Sequence, residues 1–124
     1  ICCLVPNQPY SKNITVTRIV DAYLEHARVW YFFNGGEEDI FLTSADWMGR
    51  NLHRRIEVAF PIYTELLKRQ IIDILKIQLE DNQSAVRIDE NLQNVFKRDT
   101  APADAPAVRA QQAIYEYLKK LTGQ

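Results

Sequence analysis

Residues 29–43, with the sequence VWYFFNGGEEDIFLT, decide the fold that the chain predicts. Residues 29–33 are branched and aromatic, a composition typical of a central β-strand. Residues 34–36, Asn-Gly-Gly, accept the positive φ angles of a tight connection, and residues 39–43 return to strand composition. This stretch therefore predicts a β-hairpin.

The segments on either side of the hairpin predict strands and helices that alternate along the chain. Strands are expected at 1–5, 14–17, 55–60 and 86–88, helices at 18–26, 63–80, 89–97 and 107–121, and a polar loop at 44–52. This order favours an α/β (α+β) fold in which a mixed sheet is flanked by helices, within one domain of 124 residues. An apolar strand that starts at Ile1 indicates a piece of a longer polypeptide, truncated on its N-terminal side.

The segment 55–60 has the alternation of a half-buried strand. Ile56, Val58 and Phe60 alternate with Arg55, Glu57 and Ala59. Because successive side chains of a strand point to opposite faces, we expect the face that carries the three large apolar residues to be buried.

Composition and charge argue against nucleic acid and a lipid membrane as partners. The formal net charge is −1, so no overall field attracts nucleic acid or an anionic membrane, and we expect no nucleic-acid partner. No apolar run approaches the roughly 20 residues that a membrane-spanning helix needs. Cys2 and Cys3 are adjacent and fit reduced thiols in a cytoplasmic protein.

His26 and Arg28 stand where the predicted helix ends and the first hairpin strand begins. A helix C-terminus favours an imidazolium and a nearby guanidinium opposes it, so this histidine could exchange a proton near neutral pH. In the predicted hairpin Arg28 lies roughly opposite Ser44, which would bring both residues together with His26 and Asp46. Since the guanidinium fork matches phosphate oxygens, we expect an anion-handling site.

A plainer interpretation of these residues stays open at this point. His26 also fits a polar residue near a helix end, Asp46 fits a turn cap, and Arg50, Arg54 and Arg55 fit a solvated surface. A strand that begins near Arg55 must direct either Arg54 or Arg55 away from the site.

Motifs for other chemistries are missing from the sequence. It has no G-x-x-x-x-G-K-[ST] phosphate loop, no paired-histidine metal motif and no nucleophile elbow. His53 lies among arginines and fits surface decoration.

Several segments together resemble the final domain of the polyphosphate kinase family. They are residues 1–6 (ICCLVP), 19–21 (IVD), 23–28 (YLEHxR), 34–36 (NGG), 44–51 (SADWMxRN), 55–59 (RIEVA), 108–111 (VRAQ) and 113–115 (AIY). The resemblance spans nearly the whole chain and implies a phospholipase D-like half, in which His26-x-Arg28 is a variant of a His-x-Lys element.

The resemblance implies an enzyme that reversibly moves the terminal phosphate of ATP onto inorganic polyphosphate, with magnesium and through a phosphohistidine in a preceding domain. It implies that His26 and Arg28 contribute to the ATP site, with His26 as the catalytic residue. Ser44, Asp46 and Arg50, together with Arg55, are the expected phosphate or polyphosphate contacts, and no metal ligand is expected in this part of the enzyme.

The same resemblance implies partners and a location. The expected partners are ATP, ADP, inorganic polyphosphate and the preceding domains of the same polypeptide, in a homo-oligomeric parent enzyme. The expected location is the cytoplasm, with peripheral contact with the membrane left open.

Two other functions remain alternatives at this point. One is a phospholipase D-like phosphodiesterase, which would need two histidine-lysine motifs where this chain offers one half-motif with arginine. The other is a non-catalytic domain that binds polyphosphate or assembles the parent enzyme.

Overall fold

The computed structural model describes residues 4–123, which form two compact units. The first unit, unit 1, comprises Glu25–Ile72, and unit 2 comprises residues 4–24 and 73–123. In chain order the strands are β1 (Val16–Ile19), β2 (Val29–Phe32), β3 (Asp39–Thr43), β4 (Ala59–Pro61), β5 (Ala85–Ile88) and β6 (Asn94–Phe96), and the helices are α1 (Gly49–Arg54), α2 (Glu65–Glu80), α3 (Lys97–Thr100) and α4 (Ala110–Thr122). The expected mixed α/β fold is confirmed, and its strands form two three-stranded antiparallel sheets.

The sheet of unit 1 has the order β2-β3-β4 and contains the predicted hairpin. A 3₁₀ turn over Asn34–Gly36 connects β2 and β3, with φ angles of 46° at Asn34, 68° at Gly35 and 109° at Gly36. These angles explain the Asn-Gly-Gly sequence, because other residues rarely adopt them. The Thr43 N–H donates to the Arg28 carbonyl at 3.0 Å, so Arg28 pairs with Thr43, one residue short of the predicted Ser44.

The sheet of unit 2 has the order β1-β5-β6. A tight connection joins β5 and β6, in which Asp89 Oδ1 accepts the N–H groups of Asn91 at 2.9 Å and Gln93 at 2.7 Å. The predicted helix over residues 89–97 is therefore wrong. Only Lys97, the first residue of α3, is helical in this range. The reason is local: Leu92 adopts a left-handed backbone (φ 60°) that an α-helix excludes, and the Asp89 N–H donates to the Gln93 carbonyl at 3.1 Å, which closes a hairpin.

The predicted helix over residues 18–26 is also wrong. Arg18 and Ile19 belong to β1, in register with Val86 and Ala85 of β5, and no helix lies between β1 and β2. The backbone beyond β1 is held by side chains: Gln111 Oε1 accepts the Tyr23 N–H at 3.0 Å, and Gln111 Nε2 donates to the Tyr23 carbonyl at 2.7 Å.

The region between β3 and β4 differs from the prediction in two ways. The expected polar loop contains the short helix α1, and the strand expected at 55–60 is limited to β4. Ile56, Val58 and Phe60 are exposed, so the expected burial of this face is wrong for the structure. The strand expected at 1–5 lies largely outside the described residues, and Leu4 and Val5 are not part of a strand.

The two long helices follow their predicted spans closely. The first half of α2 belongs to unit 1 and the second half to unit 2, where the Tyr117 hydroxyl of α4 donates to Asp73 Oδ2 at 2.9 Å. Helix α4 ends at Gly123, whose left-handed backbone (φ 72°) allows its N–H to reach the carbonyls of Lys119 and Lys120. Within residues 4–123, no helix combines the length and apolarity that crossing a bilayer requires.

A buried carboxylate joins the elements of unit 2. Asp81 follows α2 and is 0% exposed. Its Oδ1 accepts the N–H groups of Gln83 at 2.9 Å, Ser84 at 2.7 Å and Ala85 at 2.9 Å, and its Oδ2 accepts the Ala110 N–H at 2.7 Å. One side chain therefore closes the turn into β5 and binds the first N–H of α4.

Asp81→Ala is expected to lower the free energy of unfolding by roughly 3 kcal/mol, because buried N–H groups of Ala85 and Ala110 lose their acceptor. Urea denaturation of the purified chain measures the change. Asp104→Ala is the control, since this carboxylate is exposed and its loss should change stability by no more than about 0.5 kcal/mol. Equal effects of the two substitutions would show that the Asp81 hydrogen bonds do not stabilise the fold.

Candidate functional site

The predicted histidine, arginine and aspartate lie together in unit 1. Arg28 Nε donates to Asp46 Oδ1 at 2.6 Å, and Arg28 Nη1 donates to the carbonyl oxygen of His26 at 3.2 Å. The Arg28 and Asp46 side chains are half-buried, whereas His26 is exposed. The cluster therefore consists of a partly shielded ion pair beside a solvent-accessible imidazole.

The structural context of His26 differs from the prediction. Because no helix precedes it, the argument that a helix C-terminus favours the imidazolium does not apply. The main chain of His26 is instead fixed by the hydrogen bond from Arg28, whose own main chain pairs with Thr43. The position of His26 thus depends on the hairpin.

Asp46 is held in its charged form by its surroundings. The hydrogen bond from Arg28 is the main cause that lowers the pKa of Asp46 below its usual 3.8, and the charges of Arg28, Arg50 and His26 act in the same direction, against the effect of burial. The same pairing raises the pKa of Arg28. Both partners are therefore ionised at neutral pH, and Asp46 accepts hydrogen bonds but cannot donate a proton.

A second hydrogen-bonded group, which the sequence did not predict, surrounds Glu57. Ser44 Oγ donates to Glu57 Oε2, and Asn51 Nδ2 donates to Glu57 Oε1 at 2.7 Å. These two hydrogen bonds lower the pKa of Glu57, with smaller contributions from the charges of Arg55 and Arg28. Asn51 is buried, and its Oδ1 has no hydrogen-bond partner among residues 4–123.

The sequence contained one signal for this group. Pairing of β3 with β4 in the register Thr43 to Ala59 continues through the Ser44 N–H, which donates to the Val58 carbonyl at 2.9 Å. Extending the hairpin pattern by a third strand would have brought Ser44 near Glu57. The burial of Asn51 has no comparable signal, because it depends on the helix α1 that was expected to be a loop.

The remaining predicted residues are distributed over two places. Arg50 lines an open cavity of about 500 Å³ on α1 together with Gly49, His53 and Arg54. Arg55 follows α1, is exposed and does not line this cavity, although its charge acts on Glu57. The site residues therefore form an ion pair beside an imidazole, a network around Glu57 that includes Ser44, and a basic cavity.

Two tryptophans hold the loop that carries Asp46. The rings of Trp30 on β2 and Trp47 contact each other edge to face, with centroids 6.1 Å apart. Such pairs contribute attraction beyond the area that they bury. Packing of Trp47 on the hairpin thus supports the position of the neighbouring carboxylate.

The described residues do not fit a metal centre. Residues 4–123 contain no group of three or more His, Cys, Asp or Glu side chains that could hold an ion. The carboxylate of Asp46 is occupied by Arg28, and that of Glu57 by Ser44 and Asn51. No step proposed below therefore passes through magnesium.

Arg28→Gln is expected to raise the pKa of Asp46 toward 3.8, because the substitution removes the main cause of its lowering. The lowered pKa also means that the pair stabilises the fold above the ordinary carboxyl pKa and loses this contribution as the pH falls below it. NMR titration of the Asp46 carboxyl carbon measures the shift.

Arg54→Gln is the matched control for this titration, since Arg54 is not among the charges that act on Asp46. An equal rise of the Asp46 pKa in both variants would contradict the specific pairing with Arg28.

Comparison with known proteins agrees with the resemblance seen in the sequence. Residues 1–111 match the family described as polyphosphate kinase C-terminal domain 2. The chain is 46% identical over 122 residues to the polyphosphate kinase of Escherichia coli K12, and 44% identical over 121 residues to that of Campylobacter jejuni RM1221. In both comparisons the alignment covers 98% of this chain and 17% of the relative.

A solved structure supports the same assignment. The crystal structure of polyphosphate kinase from Porphyromonas gingivalis superposes with a TM-score of 0.91 at 58% sequence identity, covering 98% of this chain and 18% of that chain. The chain therefore belongs to the polyphosphate kinase family, and it corresponds to the part described as C-terminal domain 2.

Proposed function

We propose that this chain is part of an enzyme that reversibly transfers the terminal phosphate of ATP to inorganic polyphosphate, and that it supplies residues to the ATP and polyphosphate site. The relatives are named polyphosphate kinase, and the chain spans 17% of their length. The observation that carries the proposal is the ion pair of Arg28 and Asp46 beside the exposed His26. The phosphorylated histidine would lie in another part of the polypeptide.

Arg28 is suited to bind a phosphoryl oxygen. Its Nε and Nη1 hydrogen bonds to Asp46 and His26 fix the plane of the guanidinium, and within residues 4–123 its Nη2 donates no hydrogen bond. Phosphoryl transfer depends on fixed donors that meet the charge spread over the phosphate oxygens. In this proposal Asp46 positions Arg28, and Nη2 of Arg28 donates to the phosphate.

His26 is the proposed catalytic residue. His26 is exposed, its carbonyl is held by Arg28, and its charge acts on Asp46, so in this proposal its imidazole contacts a phosphate that Arg28 binds. An imidazole can hold or release a proton near neutral pH, and can donate a hydrogen bond to a phosphoryl oxygen.

The other predicted residues are proposed to hold the phosphate chain. Arg50 lies in the basic cavity on α1, and Arg55 is exposed near the network of Glu57. The Ser44 hydroxyl donates to Glu57, so its direct use as a phosphate ligand would require that hydrogen bond to break. We therefore assign Ser44 a supporting role: it fixes the carboxylate of Glu57, whose charge interacts with that of Arg55. The homo-oligomeric state and the cytoplasmic location of the parent enzyme stay predictions.

His26→Ala in the full-length enzyme is expected to lower the rate of polymer synthesis by about 100-fold to 10,000-fold, the range for loss of a proton-transferring group. His26→Asn keeps a polar side chain but cannot transfer a proton, so we expect a comparable loss. Phosphoenzyme formation and polymer synthesis are measured separately with radiolabelled ATP. Glu116→Ala, which removes an exposed charge on α4, is the control for general effects of substitution.

The pattern of losses assigns the step in which His26 acts. Loss of both measurements places it in the transfer from ATP to the enzyme, and loss of synthesis alone places it in the transfer to the polymer. Wild-type values for both in His26→Ala would refute the catalytic role and favour a domain that only binds polyphosphate or assembles the enzyme.

The isolated 124-residue chain is expected to show no ATP-dependent polymer synthesis, because the phosphohistidine of the proposed mechanism lies outside it. Incubation with labelled ATP and a polyphosphate primer, followed by gel analysis, tests this. The full-length enzyme is the positive control. Turnover by the isolated chain would refute this division of roles, and cleavage of a chromogenic phosphodiester would instead favour the hydrolase alternative.

A further inference from the structure

Three large apolar side chains are exposed at alternate positions leading into β4. Ile56 is 100% exposed, Val58 61% and Phe60 50%, and we call them the apolar row. The backbone of the preceding Arg55 is extended, at φ −118° and ψ 154°, and the main chain of Val58 continues the pairing of β4 with β3. In an extended segment alternate residues lie on one side, so the three side chains form one face.

The exposure of the apolar side chains in this segment is unusual for a strand at a protein surface. Glu57 alternates with the residues of the row and accepts hydrogen bonds from Ser44 and Asn51. A strand with one wet face normally directs charged residues to solvent and apolar residues to the core. Here the carboxylate is partly shielded and hydrogen-bonded within unit 1, while the three large apolar side chains are exposed, which indicates a surface that another part of a protein covers.

The position of the row in the sheet leaves it accessible. Strand β4 is an edge of the sheet of order β2-β3-β4, so the row is at the margin of unit 1. Other large apolar side chains of the same unit are also exposed: Leu52 (44%), Tyr63 (82%) and Leu66 (67%).

We infer that the apolar row is a docking surface for a part of the parent polypeptide that precedes these 124 residues. The matched family is described as a C-terminal domain, and the chain spans 17% of its bacterial relatives and 18% of the solved structure. Most of such a polypeptide therefore lies on the N-terminal side. Because the row itself carries no charge, the occupant should present aliphatic or aromatic side chains.

A tethered occupant is favoured over a second copy of the chain. A segment of the same polypeptide has a high effective concentration at the row, so the cover needs no association between molecules. Covering the row would also fix the main chain of Arg55, which immediately precedes Ile56. That consequence for Arg55 rests on the proposed function, whereas the docking surface does not.

The accessibility of the row in the full-length enzyme tests the inference. Ile56→Cys and the exposed control Asp104→Cys are labelled with a maleimide. Peptide mass spectrometry measures the labelled fraction at each introduced cysteine, separately from Cys2 and Cys3. We expect native labelling at position 56 to be about tenfold slower or more than at position 104, because reaction requires local opening. Denaturation should equalise the rates. Equal rates in the native enzyme would overturn the inference.

Photocrosslinking identifies the occupant. With p-benzoylphenylalanine in place of Val58, we expect a product of one-chain mass whose linked peptide comes from the region preceding Ile1. A product of twice that mass, or a link to residues of unit 2 (4–24 or 73–123), would overturn the choice of occupant. If this variant does not fold, the labelling rate of Ile56→Cys is measured over a roughly hundredfold range of enzyme concentration instead. A rate that rises on dilution would indicate cover by a second copy, and a constant rate is expected for a segment of the same polypeptide. Neither measurement requires catalysis, so a result that overturns the docking surface can be told apart from one that overturns the proposed function.

Discussion

The hydrogen bond between the Thr43 N–H and the Arg28 carbonyl, 3.0 Å long, sets the register on which the candidate site depends. A shift by one residue would turn every side chain of β2 to the opposite face. With the observed register, the Arg28 side chain reaches Asp46 just beyond β3, and its second donor reaches the His26 carbonyl. A backbone pairing at the end of a hairpin therefore places the cation, the carboxylate and the imidazole together.

The two carboxylates of the candidate site, Asp46 and Glu57, are linked electrostatically through Arg28. Arg28 binds Asp46 directly, and its charge also helps to lower the pKa of Glu57. Glu57 in turn receives Ser44 from the end of β3 and Asn51 from α1. The two carboxylates thus stay ionised and hold hydrogen-bond donors in fixed places. Fixed donors are what a phosphate site requires, because their dipoles need no reorganisation when charge develops on the substrate.

Sequence reasoning succeeded where structure depends on neighbouring residues. The hairpin was predicted by Asn34-Gly35-Gly36 between two apolar runs, and the spacing of apolar residues predicted α2 and α4. It failed where a distant partner decides. Residues 18–26 have a helical pattern, but β1 pairs with β5, far along the chain, and Gln111 binds the backbone of Tyr23. Tertiary pairing here overrides local preference.

Among the contacts of the candidate site, too, some could be predicted from the sequence and others could not. The association of Arg28 with Asp46 could be predicted, because both lie next to paired strands. Glu57 and Asn51 were missed as partners, since their contact requires both the third strand and an unpredicted helix. The burial expected for Ile56, Val58 and Phe60 followed from a correct alternation, but alternation does not identify which part of a protein provides the cover.

The division of unit 2 into two chain segments has a consequence for biosynthesis. Unit 1 is continuous over Glu25–Ile72, so its contacts can form soon after that segment leaves the ribosome. Strand β1 is made before it, yet its partner β5 and the Arg109 side chain that binds Asp21 are made only later. At elongation rates of about 5–20 residues per second, β5 follows β1 after on the order of several seconds. During that interval β1 lacks its native partner, and an unpaired strand edge is a template for pairing with other chains.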